Sequence, residues 1–264
     1  MTNESTSTLE GALAALEQDV ETTLRVAGGA VRVIKALRKA AQEGDVQKLN
    51  ATMAAATQAI HALDQQFASA KEGWSFDVDD HLSSGAFGKE LVRVATETGV
   101  RIFEQDDRLY CYPSLIRILP GKQSVKIDKA QKRTLRPSVL VAHLKENQGR
   151  PPRFRAEAFL ELLHKAYEYL NSPQKGALVR SGGVAKLVDV YRLLTLLPGQ
   201  SKEYGRAEFA RDIYLLDRSG VTRTKSGAVA SLHLDRGSTS DSISVITEAG
   251  EHKLYLGISF TKAQ

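Results

Sequence analysis

Cysteine is almost absent from this sequence. The 264 residues contain only one, Cys111, so no disulfide can form within the chain. The first residues lack the basic start and apolar core of a secretory signal, and no apolar run is long enough to span a membrane. We therefore expect a protein of the reducing cytoplasm, without membrane contact.

Signatures of catalysis and of cofactor binding are also missing. Gly121 and Lys122 are not preceded by the glycine that a phosphate-binding loop needs, because Ile116 stands at that position. The six histidines are scattered without a His-x-x-x-His pair, and one cysteine cannot build a thiolate zinc site. There is no Gly-x-Ser-x-Gly nucleophile elbow. We expect no catalytic residue, no metal site and no cofactor.

Two acidic patterns leave alternatives open. The Glu-His-Lys tripeptide at 251–253, with Asp241 upstream, is similar to the acid-then-Glu-x-Lys pattern of metal-dependent nucleases, but it follows a glycine turn rather than lying inside a central strand. Asp77, Asp79 and Asp80 could ligate a cation, although acids so placed are typical of a helix N-terminus. A nuclease with an unrecognised site is therefore one alternative function.

What is present begins with two long amphipathic runs. Apolar residues recur at steps of three and four over residues 9–37, and alternate strictly between three and four over residues 46–74, as in a heptad seam. Gly44 and Asp45 supply a helix stop and a new N-cap, and so short a connection makes the helices antiparallel. The sequence predicts a coiled-coil-like helical hairpin, an arm.

Gly28 and Gly29 interrupt the first helix, where each costs about 1 kcal/mol relative to alanine. The pair indicates either a kink or a point of close approach for another helix. We interpret the arm as an element that docks a partner protein or forms a homo-oligomer, against the alternative that it folds back and covers core. The residues expected at that contact are Leu16, Leu24, Val31, Met53, Ile60 and Phe67.

Positive charge is concentrated in the middle of the chain. Residues 113–155 contain 11 Lys or Arg and 2 Asp or Glu, whereas residues 1–73 contain 7 and 9. Strands at 115–119 and 124–128 should form a hairpin, with Arg117 and Lys126 on one face of a small sheet.

A localised basic excess is typical of a surface that contacts phosphates without reading sequence. Tyr110 and Tyr112 would add stacking surfaces. The alternatives are pairing with an acidic protein, pairing with the acidic segment 74–112, and a solvated face. The residues expected to contact phosphates are Arg117, Lys122, Lys126, Lys129, Lys132, Arg133 and Arg136.

The segment 184–234 has a recognisable order of elements. A helix, a connection through Pro198 and Gly199, a second helix, a turn at Gly220 and a two-stranded hairpin tipped by residues 223–227 follow one another. That order resembles a winged helix, a family in which many members bind DNA and others serve protein assembly. In a winged helix Arg206, Arg211 and Arg218 would lie on the second helix, and the resemblance implies DNA contacts from Arg223 and Lys225 on the wing. Acids on the same helix suit an assembly role at least as well; they are Glu208, Asp212 and Asp217.

Together these patterns predict an α+β protein in three parts: a helical hairpin arm over 1–74, a mixed α/β basic domain over 75–155, and winged-helix-like helices and antiparallel sheet over 156–264. The function they favour is a non-enzymatic subunit of a DNA-associated assembly, such as a bacterial genome-maintenance or anti-phage defence complex. The basic hairpin would contact duplex DNA, and the arm would dock a partner such as an ATPase or nuclease subunit. A pure protein scaffold without nucleic acid is the main alternative.

Overall fold

The computed structural model of the protein describes residues 8–105, 108–150, 154–172, 183–235 and 241–262. A long helical hairpin and antiparallel sheets confirm the predicted α+β class. The chain divides into two compact units, and the predicted three-part division stays a prediction. Unit 1 is Met1–Thr98, Ile118–Val125 and Gln131–Ala142; unit 2 is Gly99–Arg117, Lys126–Ala130 and His143–Gln264.

Helices make up the larger part of the described residues. The helices predicted at 156–170 and 206–218 are confirmed, whereas the one predicted at 184–197 is shorter, because Lys186 is held extended in a strand and Thr195 ends the helix. The helices are α1 (Leu9–Glu43), α2 (Val46–Gly73), α3 (Val78–Ser83), α4 (Ala86–Glu97), α5 (Pro137–Gln148), α6 (Ala156–Leu170), α7 (Leu187–Leu194), α8 (Gln200–Glu203) and α9 (Arg206–Ser219).

The strands form two antiparallel sheets. The order in the first is β1-β2-β3-β4-β5, and in the second β6-β9-β7, with β8 also pairing with β9. The strands are β1 (Phe103–Gln105), β2 (Arg108–Cys111), β3 (Ser114–Leu119), β4 (Ser124–Ile127), β5 (Ala130–Lys132), β6 (Ala185–Lys186), β7 (Ala228–Leu234), β8 (Ile243–Ile246) and β9 (His252–Lys262).

The ends of the arm helices follow the capping rules. Gly44 ends α1 in the left-handed conformation, at φ 72°, and the Asp45 side chain accepts a hydrogen bond of 3.0 Å from the Lys48 N–H at the start of α2. α1 stays helical through Gly28 and Gly29, and a Cβ added at either would meet no atom within 4 Å. The hairpin itself therefore does not require glycine at these positions.

The interior of the hairpin is lined by small side chains. Ala30, Ala56 and Ala70 are buried there, whereas large members of the predicted seam divide into two sets. In α2, Leu49 and Leu63 are half-buried. The members that face solvent follow one another at intervals of seven residues and are Val46, Met53, Ile60 and Phe67. The predicted seam therefore closes the hairpin only in part, because close contact between the two backbones uses alanine and leaves no room for every large residue.

Unit 2 is built around helices α6, α7 and α9 and the second sheet. Phe209 and Ile213 of α9 are fully buried, as are Tyr255 and Ile258 of β9. The sequence placed Tyr255 on the opposite face from Ile258. That assignment is wrong, because a bulge opposite His233 and Leu234 skips Leu256 in the pairing and reverses the alternation.

Candidate interaction surfaces

The base of the arm is fixed within unit 1 by a buried carboxylate. Glu90 of α4 accepts hydrogen bonds from the Leu9 N–H at 3.0 Å and the Glu10 N–H at 2.8 Å, and its other close neighbour is His81 Nε2 at 2.7 Å. The first N–H groups of a helix have no partner within it. Glu90 therefore caps α1 and complements the positive end of its dipole.

A second carboxylate ties the arm to the start of α5. Glu10 accepts hydrogen bonds from Arg136 Nε at 2.8 Å and from the Ser138 N–H at 2.7 Å, while Arg136 Nη1 donates to Glu17 at 2.6 Å. Burial raises the pKa of Glu10, but the hydrogen bonds from Arg136 and Ser138 outweigh it and leave the pKa below 4.5. Arg136 therefore already has two carboxylate partners, and its phosphate contact stays a prediction.

Large apolar side chains form an exposed surface on the arm, here called the arm face. Its members are between 42 and 66% exposed. Five of the six predicted contact residues belong to it, whereas Leu16 is half-buried. The three further members, Val20, Ile34 and Val46, belong to the same rows of apolar residues at steps of three and four. That spacing is the sequence signal that could have identified them. The arm face consists of Val20, Leu24, Val31, Ile34, Val46, Met53, Ile60 and Phe67.

Both helices contribute to the same side of the hairpin. Except for Val31, exposed members lie three positions before half-buried or buried ones: Val20 precedes half-buried Thr23, and Met53 precedes buried Ala56. Three residues are nearly one helical turn, so the exposed row lies beside the inward-facing row. It is displaced in the same direction in both helices when each is viewed from its N-terminus. Because antiparallel helices run in opposite directions, that common offset brings both rows to one face.

The basic residues predicted to contact phosphates, here called the basic set, are divided between the units. Arg117, Lys126 and Lys129 lie in unit 2, and the other four lie in unit 1. Arg117 is exposed beside buried Ile116, as the predicted alternation requires, but Leu115, on the same side of β3 as Arg117, is buried as well. Within the described residues, no ion pair engages any member of the basic set except Arg136. The exposed members are Arg117, Lys122, Lys129 and Arg133.

The two tyrosines proposed for base stacking lie in the core instead. Tyr110 and Tyr112 are buried in unit 2, and the Tyr112 hydroxyl donates a 2.6 Å hydrogen bond to the Ile246 carbonyl. Burial raises the pKa of Tyr112 above its ordinary range. The stacking prediction is wrong, because the side of β2 that carries these rings is the side that unit 2 covers.

The predicted wing is present only in part. The first strand expected near 221–225 reduces to a single bridge between Arg223 and Val229. The turn itself forms, since the Thr224 N–H donates to the Ala228 carbonyl at 2.9 Å. Arg223 and Lys225 are exposed, and their DNA contacts stay predictions.

The arginines of α9 are engaged within unit 2. Arg206 donates to the Ser242 carbonyl at 2.6 Å, and Arg218 pairs with Glu248. Arg211, with a side chain only 17% exposed, contacts Asp128 at 2.5 Å and Asp212 at 2.9 Å. Burial lowers the pKa of Arg211, but these two carboxylates outweigh it and raise the pKa. The helix that the winged-helix resemblance would place against DNA thus uses its cations to hold the fold.

Charged residues of the nuclease-like pattern have other partners. Asp241 pairs with Lys186 at 2.7 Å and Lys253 with Asp217 at 3.0 Å. No three His, Cys, Asp or Glu side chains gather as metal ligands in the part of the chain that the structure describes. The Asp77 carboxylate accepts a 2.9 Å hydrogen bond from the Asp80 N–H, which confirms the helix-cap interpretation.

Within the described residues every helix is too short or too polar to cross a bilayer. A shallow cleft of about 560 Å³ lies in unit 1. The cleft is lined by Asp79, Ser83, Pro120, Gly121, Lys122 and Gln123. No family model, curated protein or solved structure matches the chain.

Proposed function

We propose that this protein is a non-catalytic subunit of a nucleic-acid-associated assembly, which docks protein through the arm face and contacts phosphates through the basic set. The exposure of eight large apolar side chains on one side of the arm carries this proposal. Contiguous apolar surface of that kind is uncommon on monomers and marks interaction sites. Fixing the base of the arm at Glu90 and Glu10 supports docking, because a held helix loses less entropy on binding.

The distribution of charge supports the proposed contact between the basic set and phosphates. Residues 113–155 carry a net charge of +9, from 11 basic and 2 acidic residues, and most of the basic set lacks an acidic partner among the described residues. Exposed lysines and arginines suffice for contact with the phosphate backbone, where sequence is not read. The arm has no such excess, with 7 basic and 9 acidic residues over 1–73. The two contacts therefore use different residues.

A salt titration of duplex DNA binding tests the nucleic-acid half. For about five phosphate contacts, the logarithm of the affinity should fall against the logarithm of salt concentration with a slope of about −4 to −5. The variant K129E/K132E/R133E should bind weakly and lose about three units of that slope. The matched control, K89E/K165E, reverses the charge of exposed lysines outside the basic set and should keep most of the salt-dependent slope. A flat titration, or equal behaviour of the two variants, would contradict nucleic-acid binding.

A pure protein scaffold is the second candidate, and one observation favours it. The arginines of α9 are occupied within unit 2, which leaves the winged-helix-like part without cations on that helix for a DNA groove. Purification of the native complex with and without nuclease treatment decides between the candidates. A complex that stays whole after digestion favours the scaffold; one that falls apart favours the nucleic-acid subunit.

A further inference from the structure

The α1 part of the arm face is nearly symmetric about its middle. Ala27 is the central position: Leu24 and Val31 lie three residues before it and four after it, and Val20 and Ile34 lie seven residues on either side. Such a row matches itself when a second helix is laid across it in the opposite direction. Building on the docking role proposed above, we infer that the occupant of the arm face is a second copy of this chain, with the two α1 helices antiparallel and a two-fold axis near Gly28.

The charges beside this row have the same symmetry with the sign reversed. They lie along the outer edge of the arm face, centred on Gly28: Glu17 and Glu21 come before it, and Lys35 and Lys39 come after it at the mirrored spacings of seven and eleven residues. All four are exposed. In the antiparallel pair Glu21 lies near Lys35 of the other copy and Glu17 lies near Lys39. Within one copy Glu17 also contacts Arg136 and Lys39 also contacts Glu43, so the Glu21–Lys35 pairs carry the charge argument. A parallel pair would place like charges together.

Gly28 is accounted for by the same contact, because it lies seven residues from both Glu21 and Lys35 and so shares their edge of the arm face. Gly29 lies about 100° further round α1 and is not part of that contact. Gly28 is exposed and Gly29 half-buried, and neither position is crowded by the rest of the chain. Glycine weakens a helix, so its presence here needs a reason outside the hairpin. At the crossing point of two helices, the absence of a side chain lets the backbones approach closely.

The arm face is large enough for a specific dimer. At ~1.5 Å per residue, the row from Val46 to Phe67 is about 31 Å long. Two adjacent helices, each ~10 Å across, give about 600 Å² per copy, or about 1,200 Å² in a pair. That area is at the lower limit of specific interfaces, so the dimer should dissociate measurably on dilution. The seven-residue repeat of exposed members on α2 suits helices that pack side by side as a four-helix bundle.

Sedimentation equilibrium of the full chain tests the dimer. The natural chain should show a mass of twice 28.9 kDa at high concentration and 28.9 kDa on dilution. The change E21K should weaken association about tenfold, since it affects two symmetric pairs, and the double change E21K/K35E should restore it. A chain that stays monomeric, or a double variant no tighter than the single one, would overturn the inference.

Cysteine cross-linking tests the direction of the helices. The buried Cys111 does not compete. G28C lies at the proposed axis and should cross-link between copies under oxidation, whereas E43C, at the end of α1, lies far from its counterpart and should not. Cross-linking at position 43 instead of 28 would sink the antiparallel arrangement. Both changes should leave the monomer intact, because both positions are exposed, and circular dichroism checks this.

Two further measurements distinguish failure of the second-copy inference from failure of the proposed docking function. A monomeric chain whose arm face captures a different, purified helical protein sinks the second-copy inference and leaves docking in place. A monomeric chain that floats with vesicles of phosphatidylcholine and phosphatidylserine overturns it in favour of a lipid surface. The salt dependence of DNA binding by the basic set is measured separately and depends on neither result.

Discussion

The arm and the C-terminal part of unit 2 are both built from amphipathic helices, but they place their large side chains in opposite ways. In α6 and α9, Leu163, Phe209 and Ile213 are fully buried against the sheet. In the arm, alanines occupy the interior, and Leu24 and Phe67 are about 60% exposed. A periodic apolar row therefore shows that a helix has an apolar face, and burial decides whether that face is covered within the chain.

The same contrast holds for charge. Arg206, Arg211 and Arg218 of α9 are committed to carboxylates or a carbonyl within unit 2. Lys129 and Arg133 extend into solvent. The cations that the resemblance to a winged helix would single out hold the fold, whereas Lys129 and Arg133 have no acidic partner among the described residues.

Two phenylalanines give the largest expected difference between the regions. F209A removes a fully buried ring and should lower the free energy of unfolding by about 3–5 kcal/mol. F67A removes an exposed ring and should change it by less than about 0.5 kcal/mol in dilute protein, where the arm face is unoccupied. Urea unfolding measures both. Equal losses would show that Phe67 is part of the folded core.

Two arginines give an intermediate effect. R211M leaves Asp128 and Asp212 without their cation and should lower the free energy of unfolding by about 2 kcal/mol, less than for a fully buried pair because Asp128 is partly exposed. R133M should leave stability unchanged and weaken DNA binding. Thermal unfolding and a binding titration on the same two proteins separate the roles. A loss of stability in R133M, or a loss of DNA binding confined to R211M, would contradict the structural role of Arg211 and the binding role of Arg133.

Acid should loosen the base of the arm. Because hydrogen bonds from Arg136 and Ser138 hold the folded-state pKa of Glu10 below 4.5, its contribution is present above pH 4.5 and is lost as the pH falls through the lower folded value. E10Q should therefore cost about 1 kcal/mol at neutral pH, as for a lost helix cap, and the difference from the natural chain should shrink toward pH 3. Unfolding measured across pH checks this. A difference that is constant with pH would exclude a role for the charge.

The smallest expected signal is at Cys111. The thiol is fully buried, and desolvation, aided by Asp128, raises its pKa to about 12. A thiol reagent at pH 8 should leave the folded chain unmodified and react at once in denaturant. Rapid reaction of the native protein would mean that unit 2 opens readily, unlike a well-packed core.

The sequence predicts local features well, because they depend on neighbouring residues. Gly44 and Asp45 locate the turn of the arm, and the alternation of Val125 and Ile127 with Lys126 identifies the buried side of β4. Features that depend on distant residues are not visible in this way. The bulge at Leu256 arises from pairing with β7, and it reverses the face of Tyr255.

The candidate surfaces show the same limit. The spacing of the arm row gives five members of the arm face, but only burial shows that Leu16 is half-buried and that Val46 is outside. Charge density locates the basic set, but only contacts show that Arg136 is tied to Glu10 and Glu17. Alternation puts Tyr110 and Tyr112 on one strand, and it cannot show which side of that strand the rest of unit 2 covers.

Lysine footprinting tests the central claim most directly, because it compares the arm with the basic set in one sample. Lysines are acetylated with and without duplex DNA at low salt and located by mass spectrometry. The account predicts protection at Lys122, Lys126, Lys129 and Lys132, and unchanged modification at the exposed arm residues Lys35, Lys39 and Lys48. Protection of the arm lysines, or of no lysine at all, would contradict it.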